Sequence, residues 1–351
     1  MAYTTIDDPS AYFHTQLYTG AGGTQAITND ANAGNFKPDW VWLKERANVS
    51  GHKVYDSSRG VEQLIQTNLT SPEETKSTGV TAFNTDGFTC GGDGGHNQAS
   101  QTYVAWQWKA NGGTTASNTD GSITSTVQAN TDAGFSIVTW AGTGVIGTVG
   151  HGLGVAPKVV IVKARTNSTQ WAIFHKDGFT SDDNYLIFTT GAIGSQVGLW
   201  NNQYPSSTVF GVSSDAWLNG GSTNYLAYCF AEKQGYSKFG TYYGNALADG
   251  EFVYLGFKPA FVMVKVLSDP NYGWVIADNK RGPFNQNDPS VYANSTAAET
   301  TNDFKGDFLS NGFKLHGTTY PANSGGTNTF AYFAWAENPF VTSTGVPATA
   351  R

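Results

Sequence analysis

The chain has 351 residues and a formal charge of −7, with 13% charged and 14% aromatic residues. Charged residues usually make up about 25% of a soluble domain. Gly, Ser, Thr and Asn stand in for them here, and so many aromatics and strand formers exclude a disordered chain. The acidic balance and the lack of a long Lys/Arg run weigh against nucleic acid as a partner, and no apolar run is long enough for membrane insertion.

Residues 1–35 read as short β pieces around Tyr12–Tyr18, broken by Gly20, Gly22 and Gly23, and form opening strands or an anchoring arm. The start, MAYTTIDDPSAYF, lacks the basic and apolar segments of a signal peptide. If the protein works outside a cell, it is expected to leave by a route other than secretion, such as assembly inside a virion released by lysis. Phe36–Lys44 (FKPDWVWLK) is then written three times, returning as Val155–Lys163 (VAPKVVIVK) and Phe257–Lys265 (FKPAFVMVK). In each copy a proline lies six residues before a lysine, with a mostly apolar run between. That predicts a strand whose entry is fixed by the proline, with the lysine expected where the strand reaches solvent.

Val54-Tyr55-Asp56 reads as a strand, Ser57–Gly60 as a turn and residues 66–79 as an exposed loop. Asp86-Gly87 marks a tight turn between short strands. Tyr103–Trp108 (YVAWQW) closes the first unit and aligns with Tyr225–Phe230 (YLAYCF) and Phe330–Trp335 (FAYFAW). From the lysines to Trp106, Tyr228 and Phe333 the distances are 62, 65 and 68 residues. Two landmarks repeating in order at this spacing predict three tandem units. A small-repeat solenoid does not fit a period above about 100 residues.

The expected fold is all-β: three tandem β-sandwich domains, concanavalin-like or jelly-roll, over 1–112 (with an N-terminal arm), 113–234, and 235–351 (with a Pro/Thr/Ala tail). Residues 111–122 read as a linker or loop. Both alternating faces of Trp40–Leu43 and Val159–Val162 are apolar, so a loop, another domain or another subunit must cover the face turned away from the sandwich core. In Tyr103–Trp108, the larger set Val104, Trp106 and Trp108 is expected to face that core.

No constellation of catalytic residues emerges. Asp56 and Arg59 match Asp278 and Arg281, each pair followed by glycine, and read as structural polar pairs; His175-Lys176-Asp177 breaks the pattern in unit two. The six histidines are scattered, without metal-ligand spacing. His151, between glycines, is expected to leave its ring accessible. Asn84–Gly87, Asn118–Gly121 and Ser181–Asn184 offer oxygens to a cation, but Asx-turns account for them with less machinery. No metal or cofactor is assigned, and Ca²⁺ stays a minor alternative. Cys90 and Cys229 occupy non-equivalent positions and are expected to be unpaired thiols. Carbohydrate binding would use aromatics outside the strand cores: Trp200, Tyr204, Trp217, Tyr272 and Tyr320.

The opening MAYTTIDDPSAYFHTQLYTG resembles virion proteins of tailed phages of marine and cyanobacterial hosts. SNTDGSITSTVQANTDAGFSIVTWAGTG, VGHGLGVAPKVVIVKAR and the ending AENPFVTSTGVPATAR are similar to the same group. The resemblance spans nearly all of the chain. It implies a virion location and a tail-fibre-like, capsid-associated or simply structural role, and it carries over no catalytic residue. The expected function is a tail-fibre or appendage component contacting the host surface, with glycans as the candidate receptor. Its partners would be other virion proteins and copies of itself, with a trimer favoured. A head decoration or cement protein is the alternative, and a polysaccharide depolymerase comes third.

Overall fold

The computed structural model describes residues 2–30, 36–318, 321–325 and 328–349. The chain is nearly all β. Among the described residues the helical turns are short, at Pro9–Ala11, Gly94–Asn97 and Lys176–Gly178. Three large antiparallel sheets repeat one order of four strands. An opening strand (Phe13–Thr19, Phe135–Ala141, Ser237–Tyr243) pairs with the aromatic strand (Thr102–Trp108, Asn224–Phe230, Thr329–Pro339). Next comes the lysine strand (Trp40–Glu45, Val159–Ala164, Phe257–Val266), then a hairpin strand (Lys53–Asp56, Ala172–His175, Val275–Asp278). The register repeats too: Trp42 lies opposite Trp106, Ile161 opposite Tyr228 and Met263 opposite Phe333. In the first two copies the lysine strand starts two residues after its proline. In the third it runs through Pro259, with the ladder shifting register there, as expected for a residue that cannot donate.

A smaller sheet accompanies each large one. In the first repeat Gln25–Ile27, Phe88–Cys90 and Val80–Phe83 supply Ile27, Phe88 and Val80 to a core shared with Val41, Leu43 and Tyr55. In the third, Phe252–Tyr254, Gly312–Leu315 and Gly306–Leu309 supply Val253, Phe313 and Phe308 against Val262 and Val264. In the second, Gly147–Gly150 pairs with Val209–Val212, and Phe210 meets Trp140 edge-on at 5.7 Å.

The second apolar face of each lysine strand is covered by the other repeats. Trp40 and Trp42, Val159 and Ile161, and Phe261 and Met263 enter one continuous hydrophobic cluster built from all three repeats. The aromatic strands point the same way. Trp108 and Phe230 each lie 5.2 Å from Trp335, ring centre to ring centre, and Trp40 stacks on Tyr228 at 4.4 Å. This corrects two expectations. Val104, Trp106 and Trp108 face the neighbouring repeats, while Ala105, on the opposite face, enters the sandwich core. Lys44, Lys163 and Lys265, expected at solvent, are completely buried. They share a strand face with the inward tryptophans and their counterparts, so the inter-repeat core encloses them.

The stretch expected as a linker is also built in. Ala116–Asn118 and Ser125–Asn130 extend the second large sheet. The Gln128 amide accepts from the Asn111 and Gly113 backbone and donates to Ser57 and Ser58 of the first repeat.

Candidate functional site

The polar residues that recur between repeats lie at their junctions. Asp56 and Arg59 form a fully buried ion pair at 2.5 Å, and Tyr228 of repeat two donates its hydroxyl to Asp56 Oδ2 at 2.8 Å. Asp278 and Arg281 repeat the arrangement, and Trp106 of repeat one donates Nε1–H to Asp278 Oδ2 at 3.0 Å. His175 takes the carboxylate's place in repeat two and packs against Phe333 of repeat three, ring centres 5.0 Å apart. The sequence aligned Trp106, Tyr228 and Phe333. Donor aromatics meet the two carboxylates, and the one ring without a donor meets the histidine.

The lysines close the same circle. Lys163 Nζ donates to Thr169 O of its own repeat and Thr70 O of repeat one, both at 3.0 Å. Lys265 Nζ donates to Tyr272 O at 2.8 Å and to Thr190 O of repeat two at 2.9 Å. Lys44 Nζ donates to Glu45 O at 2.7 Å and to Thr296 O of repeat three at 3.5 Å. Burial pulls all three ammonium groups down to about 8. Arg165 binds Glu73, and Arg46 binds Glu299, each pair at 2.8 Å across a junction. These groups close a ring of three repeats, and their charges are turned inward. Their arrangement ties each repeat to its neighbours.

The aromatics singled out for carbohydrate do not converge. Trp200 is buried, donating Nε1–H to Asn184 O and meeting Phe174 edge-on, so it presents no stacking face. The Lys176 ammonium sits 3.2 Å from the Tyr204 ring centre. Trp217 is half-buried, perpendicular to Tyr185, and Tyr272 is half-buried against the third repeat's core. Tyr320 lies outside the described residues. His151 is buried, and its ring Nε2 lies 3.2 Å from Ser206 O, contrary to the accessible ring expected. The two cysteines are free and buried. Among the described residues no group of three or more His, Cys, Asp or Glu could hold a metal ion. The Asn118 carbonyl oxygen accepts from the Asp120 backbone, as an Asx-turn does.

Two features escaped sequence reasoning. A cleft of about 420 Å³ lies between the first opening strand and the turn after Asp278, with His14, Lys280, Asp8 and Glu337 on its walls. Its charges are of both signs: His14 and Lys280 each reach Asp30, at 3.1 and 2.6 Å, and Lys258 reaches Glu337 at 3.1 Å. The other is Phe252 and Tyr254, exposed on the outer face of the third repeat's small sheet. Their alternation around Val253 was the available signal, but period two alone does not say which set faces water.

The fold and junctions define an all-β protein closed from three internal repeats. Its chain belongs to the family described as Domain of unknown function (DUF7483), whose model matches residues 8–339 and so takes in all three repeats as one unit. No curated protein and no solved structure matches the chain.

Proposed function

We propose that the protein is a structural component of a phage virion, an appendage or tail-fibre subunit that contacts the host surface. The observation that carries this reading is the closed ring. The titratable groups that recur between repeats are spent on joining them, and the product is one body with a shared core. Such a body suits a load-bearing part of an assembly, and the resemblance of the chain to virion proteins supplies the assembly. Fibre symmetry favours a trimer of chains. The internal ring offers a second way to meet a threefold axis, with one chain standing for three subunits. Light scattering of the purified protein separates these two states.

Head decoration is the second reading, favoured by Val145 and Ile146, which stand 60% and 62% exposed on one loop of the second repeat. Electron cryomicroscopy of the intact virion, at a resolution that traces the chain, tests both. Density on the tail supports the appendage. Density placed regularly on capsomers replaces it with decoration, and absence of the chain from purified particles, read by mass spectrometry, overturns both.

A further inference from the structure

Phe252 and Tyr254 are 43% and 50% exposed, on one face of a strand whose middle residue, Val253, is buried. Side chains two apart on a strand are spaced about 7 Å along it. Across the sheet Phe252 lies opposite Lys314, which lies opposite Asp307; Tyr254 lies opposite Gly312, which lies opposite Leu309. The polar groups are held in place: Lys314 Nζ is 2.5 Å from Asp249, and His316 Nε2 is 2.8 Å from Asp307. The Lys238 ammonium lies 5.2 Å from the Tyr254 ring centre and donates to that residue's carbonyl. Asp307 and His316 also form one wall of a shallow cleft of about 450 Å³, with Lys305 and Gln286 beyond them.

The fold does not require the two rings. In the equivalent small sheet of repeat one, Ala26 lies opposite Thr89; in that of repeat two, Thr148 lies opposite Gly211. The same architecture is built there with small side chains, so the small sheet itself does not call for two large half-exposed rings, although Tyr254 also meets Tyr3 and Lys238. The surroundings also argue against a protein partner. Interface cores are depleted of charge, whereas here lysine, aspartate and histidine stand between and beside the rings. Exposed ring faces flanked by fixed donors and acceptors suit a ligand with alternating C–H faces and hydroxyl edges.

We propose that this face is a glycan-binding platform. Consecutive pyranose units of a host-surface polysaccharide lie across Phe252 and Tyr254, with their hydroxyls reaching Lys314, Asp307 and His316. The assignment rests on the appendage reading for its biological setting, though the binding is a property of the isolated chain.

Native gels cast with soluble β-glucan, dextran, alginate or galactan test it on the full chain, run beside the Phe252→Ala/Tyr254→Ala variant. Both rings are half-exposed and only the Tyr254 contacts with Lys238 and Tyr3 are lost, so the variant is expected to stay folded with a melting temperature close to wild type. Wild type should be retarded by at least one of these polymers. The variant should bind it about tenfold or more weakly, on the scale of losing a ring that stacks on a nucleobase. Three outcomes overturn the proposal: no retardation in any gel, equal retardation of wild type and variant, or a wild-type dimer in light scattering that the variant abolishes. Failure of the appendage reading shows separately, as absence of the chain from purified particles.

Discussion

Tyr228→Phe is the sharpest test of the ring. The substitution removes one oxygen and leaves the ring that stacks on Trp40 and lies 6.4 Å from Phe135. The lost hydroxyl donates at 2.8 Å to Asp56 Oδ2, a fully buried carboxylate. A hydrogen bond to a charged group contributes about 1.5–3 kcal/mol, and burial keeps water from replacing it. Asp56 retains the Arg59 backbone N–H at 2.9 Å and the guanidinium at 2.5 Å, so it stays paired, and the expected loss is about 2 kcal/mol. Unfolding entropy is about 2.1 cal/mol/K per residue, or about 0.7 kcal/mol/K for a chain of this length, so the melting temperature should fall by about 3 °C. Differential scanning calorimetry reads this directly. The control is Phe333→Tyr, which faces His175 in place of a carboxylate and should gain nothing. A fall below about 0.5 kcal/mol for Tyr228→Phe, or a gain for Phe333→Tyr, would refute the pairing of donor rings with carboxylates.

The remaining predictions concern charge and cooperativity. Lys44, Lys163 and Lys265 titrate near 8 when folded and about 10.4 when unfolded. Between those values the unfolded chain binds more protons, so these sites should add stability as pH rises from 8 to 10. Lys163→Met should flatten that slope in chemical denaturation, and an unchanged slope would refute the assignment. Burial holds His175 at about 4, against about 6.5 unfolded. Its contribution is complete above 6.5 and lost as pH falls toward 4, by up to about 3 kcal/mol, and His175→Gln should blunt that acid loss. Residues 113–234 expressed alone should fail to give dispersed amide spectra, because Ile137, Ile161, Tyr228 and Phe230 would lose the other repeats' half of their core. The full chain should melt in one calorimetric transition.

The strands were legible because their signal is local. Proline entry, β-branched runs and aromatic alternation mark the lysine and aromatic strands in all three copies, and the repeat made each copy a check on the others. Both faces of Trp40–Leu43 could be read as buried. What covers the second face could not, because the partner residues lie in other repeats, as Phe135 and Tyr228 do for Trp40, and nothing local distinguishes a neighbouring repeat from another subunit. The lysines were misplaced for a related reason. A charge at a strand end is usually solvated, and only tertiary contact reveals carbonyls from Thr70, Thr190 and Thr296 converging on the ammonium groups. Trp200 misled in the same way: a tryptophan in a loop reads as available until the loop folds back over Phe174.

The break at His175 shows what the repeated pattern was for. In sequence it meant that Asp56–Arg59 and Asp278–Arg281 could not serve an activity common to all three units. In the structure each position has the same task, to meet the aromatic strand of the next repeat, and the chemistry differs by junction. Repeats one and two, and three and one, are tied by Arg165–Glu73 and Arg46–Glu299 as well as the carboxylate–donor pairs. Between two and three, Leu267 stands where the arginines are. Its carbonyl accepts from the Ile193 backbone as the Arg165 and Arg46 carbonyls accept from Glu73 and Glu299, while at the same junction Trp274 packs on Phe188 and Phe333. The backbone geometry of closure is thus kept at all three junctions while one side-chain solution is apolar. Leucine at this position escapes the desolvation cost of a buried ion pair, and protonating His175 would add a second buried cation to a junction that already holds Lys265.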